Sequence, residues 1–142
     1  MQVFIVGTPM ETAKVLDSLR LRKQIIEADQ ILSAIMGNGA WSNHPAVLQY
    51  RGYENWLKHY RNCLIHYIRG HEVLADIESR YAELMRPEWH CDEYFNQMRR
   101  RLYAKNPEHY AQWAHLGKSE ENWYWSQDEN KFIKYINGKR IE

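Results

Sequence analysis

The chain has 142 residues, of which 44% are hydrophobic and 26% charged, and its formal net charge is +1. This size and composition predict one globular domain with its own core, and they argue against a disordered chain. The near-neutral charge lacks the basic excess typical of nucleic-acid binders, so a phosphate-binding face would have to come from uneven charge distribution.

The sequence also carries no sign of membrane insertion or secretion. No apolar run is long enough to span a membrane, and the N-terminus lacks the charged-then-apolar pattern of a signal peptide. Two cysteines, Cys63 and Cys91, do not make a disulfide framework. We therefore predict a cytoplasmic protein with reduced cysteines.

In chain order, the first elements are an apolar arm and a long helical region. Residues 2–6 are apolar and are expected to form a strand or an extended arm. Apolar residues recur at helical spacing over residues 11–36, with a break near Asp17 and Ser18. Either residue could cap a helix that runs from residue 19 to residue 36.

The remaining elements are also mostly helical. Pro45 opens a helix that is expected to reach Tyr53, with Gly52 as a close-packing point. Further helices are predicted over residues 56–68, 73–85, 94–103 and 107–116. Asn137-Gly138 signals a hairpin of residues 131–136 and 139–141, although its strands would be very short. The predicted fold class is all-α. It is a compact single-domain helical bundle over residues 1–142, with a short N-terminal arm and an irregular aromatic C-terminal segment.

The most informative polar pattern lies in the long helix. Arg20, Lys23 and Glu27 are separated by three and four residues, which places them on one helix face. They could form a solvated stripe with an ordinary Lys23–Glu27 ion pair. Alternatively, cations that bind phosphates could keep Glu27 ionised, able to stabilise a positively charged transition state or to take a proton. Spacing alone leaves both interpretations open.

A second group of candidates lies in the last third of the chain. Arg99-Arg100-Arg101 with Lys105 forms the clearest basic patch, which could neutralise a nucleic-acid backbone or could cover apolar surface with its long side chains. Trp123 and Trp125 could stack on displaced bases or could seal the core. His44, between Asn43 and Pro45, is a candidate site residue or a capping group.

Metal-dependent chemistry has little support in the sequence. His59, Cys63 and His66 share a helix face and could ligate zinc, but no CxxC pair accompanies them, and core packing is the alternative. The chain has no phosphate-binding glycine loop, no GxSxG, no HExxH and no carboxylate set suited to magnesium. We predict that it uses neither a metal nor a cofactor.

Several motifs resemble one known family. These are Met1-Gln2-Val3-Phe4, Leu16-Asp17-x-x-Arg20-Leu21-x-Lys23-Gln24-x-x-Glu27-Ala28, Asn43-His44-Pro45-Ala46-Val47 and Arg51-Gly52-Tyr53-Glu54, with looser agreement to about residue 125. The chain resembles the pyrimidine dimer DNA glycosylases of the endonuclease V type, and within that grouping it is most similar to a bacterial branch.

The resemblance implies a compact all-α fold and a bifunctional DNA glycosylase/AP lyase that acts on double-stranded DNA. In the family's mechanism the N-terminal α-amine attacks the sugar C1′, and a helix glutamate is the essential carboxylate. Here these groups would be the amine of Met1, or of Gln2 after loss of Met1, and Glu27. Contacts to the strand backbone would come from Arg20, Arg22, Lys23 and the Arg99–Arg101 helix. We predict a monomer that needs no metal.

The chain also departs from the characterised enzyme. Residue 2 is the large Gln2, position 26 is Ile26 in place of an arginine, and residues 95–98 are Phe95-Asn96-Gln97-Met98. An alternative function is therefore a DNA-binding or protein-interaction module that keeps the fold without the chemistry.

Overall fold

A computed structural model describes residues 1–37, 41–117, 121–126 and 128–141. Two compact units make up the chain, Met1–Glu88 and Trp89–Glu142. In the described residues, no helix combines the length and apolar character needed to cross a membrane.

The first unit contains helices in the predicted order. They are α1 (Pro9–Val15), α2 (Ser18–Ile35), α3 (Pro45–Tyr50), α4 (Glu54–Ile68) and α5 (Glu72–Leu84). The predicted break near Asp17 is confirmed, because Asp17 is the N-cap of α2 and its carboxylate accepts from the Arg20 backbone N–H at 3.3 Å. Helix α4 packs against α1, α2 and α5 and so lies at the centre of this unit.

Two predictions about the α3 region are wrong. Helix α3 ends at Tyr50 and does not reach Tyr53, and Gly52 is not a close-packing point. Gly52 has a φ of +89°, and a Cβ added there would meet nothing within 4 Å. Its role is conformational, since glycine adopts the left-handed region without steric cost, and this turn separates α3 from α4.

The N-terminal arm, residues 1–6, passes through the first unit without forming a helix or a strand. Val3, Phe4, Ile5 and Val6 are all buried, with at most 3% of their surface exposed. The prediction of an extended arm is confirmed. Since the arm forms no strand, its backbone groups depend on side-chain partners.

The second unit begins with α6 (Asp92–Lys105) and a 3-10 helix (Ala111–Leu116), followed by three strands. The strands β1 (Glu121–Ser126), β2 (Lys131–Ile136) and β3 (Lys139–Ile141) form an antiparallel sheet in the order β1-β2-β3. The protein is mostly helical, but the prediction of a purely all-α fold is wrong. The prediction of an irregular aromatic tail is also wrong, because Trp123 and Trp125 lie in β1.

Local chemistry explains the sheet. Asn137 and Gly138 have φ values of 52° and 77°, and the predicted hairpin between β2 and β3 is confirmed. Aromatic and β-branched residues, which favour strands, dominate β1 and β2, and Trp125 pairs with Phe132 across the ladder.

Candidate functional site

The candidate site is built around a polar residue in the buried face of α2. The buried residues of α2 are spaced three or four apart, as expected for the helix face that packs against the core. They include Leu21, Gln24, Ala28 and Ile31. Gln24 is only 1% exposed. A buried primary amide needs partners for both its oxygen and its nitrogen, and Gln24 finds them in the N-terminal arm.

The oxygen of Gln24 holds the arm and α4 together. Gln24 Oε1 accepts from the Phe4 backbone N–H at 2.8 Å and from the Tyr60 hydroxyl at 2.8 Å. The Phe4 carbonyl oxygen lies 3.2 Å from the same hydroxyl as a longer second acceptor. These contacts join residues far apart in sequence, so they fix the path of the arm across the unit.

The nitrogen of Gln24 joins the arm to Glu27. Gln24 Nε2 donates to the Gln2 carbonyl oxygen and to Glu27 Oε2, both at 2.8 Å. Because the same nitrogen binds both oxygens, the peptide between Gln2 and Val3 lies near the Glu27 carboxylate. The structure thus brings Gln2 and Glu27, which are 25 positions apart in the sequence, to the same donor group.

His44 is the third predicted site residue in this neighbourhood. It is the N-cap of α3, and its Nδ1 accepts from the Ala46 backbone N–H at 3.1 Å. Burial lowers the pKa of His44, and the positive charge of the N-terminal amine lowers it further. The amine of Met1 therefore acts electrostatically on His44. The exposed Trp41 ring contacts the imidazole in a T-shaped arrangement, with the ring centroids 5.8 Å apart.

The cations of α2 that precede Glu27 do not pair with its carboxylate. Arg20 is half-buried, and its guanidinium lies 5.3 Å from the centre of the Phe4 ring. Arg22 and Lys23 are exposed. Among the described residues no cation lies within 4.0 Å of the Glu27 carboxylate, so the ordinary Lys23–Glu27 ion pair does not form. The exposed cations remain available to an anionic ligand.

The predicted basic patch lies in the second unit, and each arginine is partly buried there. Arg99 donates to Asn96 Oδ1 at 2.8 Å and lies over Trp113, 5.9 Å from the ring centre. Arg100 lines a small recess with Glu93, Asn96, Glu121 and Trp123. Arg101 is half-buried and Lys105 is exposed, one turn apart on α6.

The two tryptophans of β1 are half-buried. Trp123 is bound through its backbone, because Gln97 Nε2 donates to its carbonyl oxygen at 2.9 Å and its N–H donates to Gln97 Oε1 at 2.6 Å. Trp125 packs on Phe132, with the ring centroids 5.2 Å apart. These contacts favour the alternative that both rings seal the core of the second unit.

The residues considered for zinc have other roles. The His59 Nδ1 atom forms a short hydrogen bond to the Glu78 carboxylate. Burial raises the pKa of the fully buried Cys63 to about 12, with Glu78 and Asp76 adding to the rise, and this opposes the thiolate that zinc requires. Within the described part of the chain, no three His, Cys, Asp or Glu side chains are grouped to hold a metal.

Sequence reasoning missed the two residues that organise this site, Gln24 and Tyr60. One signal pointed to Gln24, since it is the polar member of the otherwise apolar stripe of α2. Tyr60 gave no comparable signal, because a tyrosine on a buried helix face is ordinary core composition.

A comparison with known families finds one match. The sequence pattern of the pyrimidine dimer DNA glycosylase family matches residues 1–72, half of the chain, and the chain belongs to this family. The matched part includes the arm, α1 to α4, and therefore Met1, Glu27 and His44. It ends before Arg99 and Trp123. No curated protein matches the chain, and no solved structure matches it either.

Proposed function

We propose that this protein is a DNA glycosylase with AP lyase activity, acting on damaged or modified pyrimidines in double-stranded DNA. The observation that carries the proposal is the single Gln24 amide nitrogen, bonded at 2.8 Å both to the Gln2 carbonyl and to Glu27. It holds the Gln2 carbonyl, one residue after the Met1 amine, near the Glu27 carboxylate, and an amine with a carboxylate is the pair that amine-based lyase chemistry needs. Membership of the family supports the same conclusion.

In the proposed reaction the α-amine of Met1 forms a bond to C1′ of the damaged nucleotide. The glycosidic bond breaks, and its electron pair leaves with the base, which takes up a proton. Opening of the C1′–O4′ bond then gives an imine between the amine and C1′. Loss of a C2′ proton to a base lets the 3′-phosphate leave, which cuts the strand. An α-amino group suits the first step because such amines titrate near neutral pH in general.

Glu27 is the proposed carboxylate of these steps. Its negative charge stabilises the positive sugar that develops as the base leaves, and it can accept the C2′ proton. Burial and the positive charge of the amine both lower the pKa of His44, which favours an imidazole that adds no second positive charge to the site. All three groups come from residues 1–44 of one chain, so one copy supplies the whole site.

The proposed DNA contacts begin with the cations around the site. Arg20, Arg22 and Lys23 would bind backbone phosphates on either side of the damaged nucleotide. In the second unit, the backbone contacts are assigned to α6 through Arg99, Arg100, Arg101 and Lys105. Trp123 and Trp125 keep a stacking role only if they leave their present packing.

Borohydride trapping tests the proposal. The protein is incubated with a duplex that carries an abasic site or a thymine dimer, and borohydride reduces any imine to a stable adduct. We expect an adduct on the abasic duplex, retained in Asp29→Asn, a matched acid control on the same helix. In Glu27→Gln we expect salt-sensitive binding without strand cleavage. Binding with no adduct on either duplex would instead support the DNA-binding module without chemistry.

A further inference from the structure

Trp41 is exposed to solvent beside the candidate site. It is 54% exposed, whereas Trp56 and Tyr60 are completely buried. Exposed tryptophans are enriched on surfaces that bind a partner, because the large apolar ring gains most when a ligand covers it. Trp41 is therefore a candidate ligand-binding residue of the first unit.

Short-range contacts hold the Trp41 ring in a defined position. The His44 backbone N–H donates to the Trp41 carbonyl oxygen at 2.9 Å, and the two rings form the T-shaped contact described above. Arg51, at the end of α3, donates from Nη2 to the Ser42 carbonyl oxygen at 3.2 Å and so ties the same turn to the helix. An aromatic ring that is held in place before binding loses little conformational entropy when a ligand arrives.

The same contacts place Trp41 at the edge of the candidate site. His44 caps α3, and α3 packs against α2, the helix that carries Glu27. His44 is also close enough to the Met1 amine for the charge of that amine to lower its pKa. The indole of Trp41 thus contacts a residue that interacts with the proposed nucleophile.

An exposed cation lies beside the same turn. Arg51 is exposed, and within the described residues its guanidinium has no carboxylate oxygen within 4.0 Å. An aromatic ring and a nearby cation are the two groups with which proteins hold an unpaired nucleotide, since the ring stacks on the base and the cation binds the phosphate. Trp41 and Arg51 therefore suit a nucleotide whose base has left the duplex.

We propose that Trp41 stacks on the displaced pyrimidine of the damaged nucleotide and that Arg51 binds a phosphate next to it. This inference rests on the proposed function, because an amine that attacks C1′ needs a nucleotide displaced from the duplex. The stacked ring holds the base outside the duplex while the glycosidic bond breaks. Trp41 is thus a substrate-binding residue that acts on damaged nucleotides and has nothing to hold once the base is gone.

Binding to two uncleavable duplexes tests the stacking without any chemistry. One duplex carries a single unpaired 2′-fluorothymidine, and the other carries a tetrahydrofuran abasic analogue at the same position. The wild-type protein should bind the fluorothymidine duplex about 20-fold more tightly, because base–aromatic stacking contributes on this scale. Trp41→Ala and Trp41→Leu should lose this preference, and Trp41→Phe, which keeps an aromatic face, should retain most of it. Tyr81→Ala, which removes an exposed ring of α5, is the matched control and should bind as the wild type does.

Arg51→Gln tests the phosphate contact. It should weaken binding to both duplexes about 5-fold at low salt and leave the preference for the base unchanged, because a phosphate contact does not depend on the base. Binding at the wild-type constant would exclude Arg51 from the contact. Circular dichroism checks that each variant is folded.

Borohydride trapping on an abasic duplex, at saturating protein, separates this proposal from the proposed function. No base is present to stack, so Trp41→Ala should form the adduct at the wild-type rate. A slower adduct would overturn the proposal, because Trp41 would then act through His44. Equal binding of the two uncleavable duplexes by the wild-type protein would also overturn it. A wild-type protein that prefers the fluorothymidine duplex but forms no adduct would contradict the lyase activity and keep the stacking.

Discussion

Replacing Gln24 by leucine keeps the approximate volume of the side chain and removes both of its polar atoms. Four hydrogen bonds disappear, to the Phe4 N–H, the Gln2 carbonyl, the Glu27 carboxylate and the Tyr60 hydroxyl. The Tyr60 hydroxyl keeps the Phe4 carbonyl as an acceptor at 3.2 Å. The main loss is therefore the two hydrogen bonds that join the N-terminal arm to α2, from Gln24 to the Phe4 N–H and to the Gln2 carbonyl.

The size of the effect follows from these bonds. At about 1 kcal/mol for each hydrogen bond, less the gain from burying a leucine, we expect the free energy of unfolding to fall by about 3 kcal/mol. For a chain of this length that corresponds to a decrease in Tm of about 10 °C. The folded fraction should also lose activity. Because the proposed reaction depends on the position of the arm, the trapped adduct should form at least about 100-fold more slowly without the Gln24 contacts.

Gln30→Leu provides the matched control, since Gln30 is an exposed glutamine on the same helix. It should change the free energy of unfolding by no more than about 0.5 kcal/mol and leave trapping unchanged. Urea unfolding and single-turnover trapping on an abasic duplex, both at a temperature where each variant is folded, give the two quantities. If Gln24→Leu traps at the wild-type rate per folded molecule, Gln24 does not position the amine.

Three further changes test other parts of the structure. Gln97→Leu removes both bonds to the Trp123 backbone and should destabilise the second unit by about 2 kcal/mol, measured by thermal unfolding. His44→Asn keeps a capping side chain but removes a group whose pKa is lowered in the folded state. In the unfolded protein the imidazole of His44 takes up a proton near pH 6.5, whereas in the folded protein its pKa is lower. The free energy of unfolding is therefore highest above pH 6.5 and decreases as the pH falls below 6.5. Urea unfolding at several pH values should show a smaller decrease in the His44→Asn variant. Cys63, with its pKa raised to about 12, should not react with a thiol reagent at pH 8 until the protein unfolds, as mass spectrometry of the labelled peptide would show.

Local signals predicted much of the fold. The cap at Asp17, the proline at position 45 and the turn at Asn137-Gly138 each act within a few residues, and the structure confirms all three. The strand β1 was missed because its regularity depends on pairing with β2 and on Gln97, which lies 26 residues before Trp123. The role of Gly52 was predicted wrongly because glycine is favoured both where two backbones pack closely and in a left-handed turn, and the sequence does not distinguish these roles.

The sequence suggested candidate site residues but not how they are organised. Spacing placed Arg20, Lys23 and Glu27 on one helix face, and it left an ion pair and a functional carboxylate both open. In the structure the Lys23–Glu27 ion pair does not form and Glu27 accepts from Gln24, while a catalytic role for Glu27 stays a prediction. The contacts that organise this region are ones that no local pattern encodes. Gln24 reaches Phe4 across 20 residues and Tyr60 across 36. Buried polar networks of this kind depend on tertiary packing, which a single sequence does not reveal.

Peptide mapping of the borohydride-trapped adduct tests the central claim most directly, because it identifies the nitrogen that bonds to C1′. The account predicts that the sugar remnant is attached to the α-amine of the N-terminal residue, and that blocking this amine abolishes trapping. An adduct on the side chain of Lys23, the exposed amine one turn before Glu27, would contradict it.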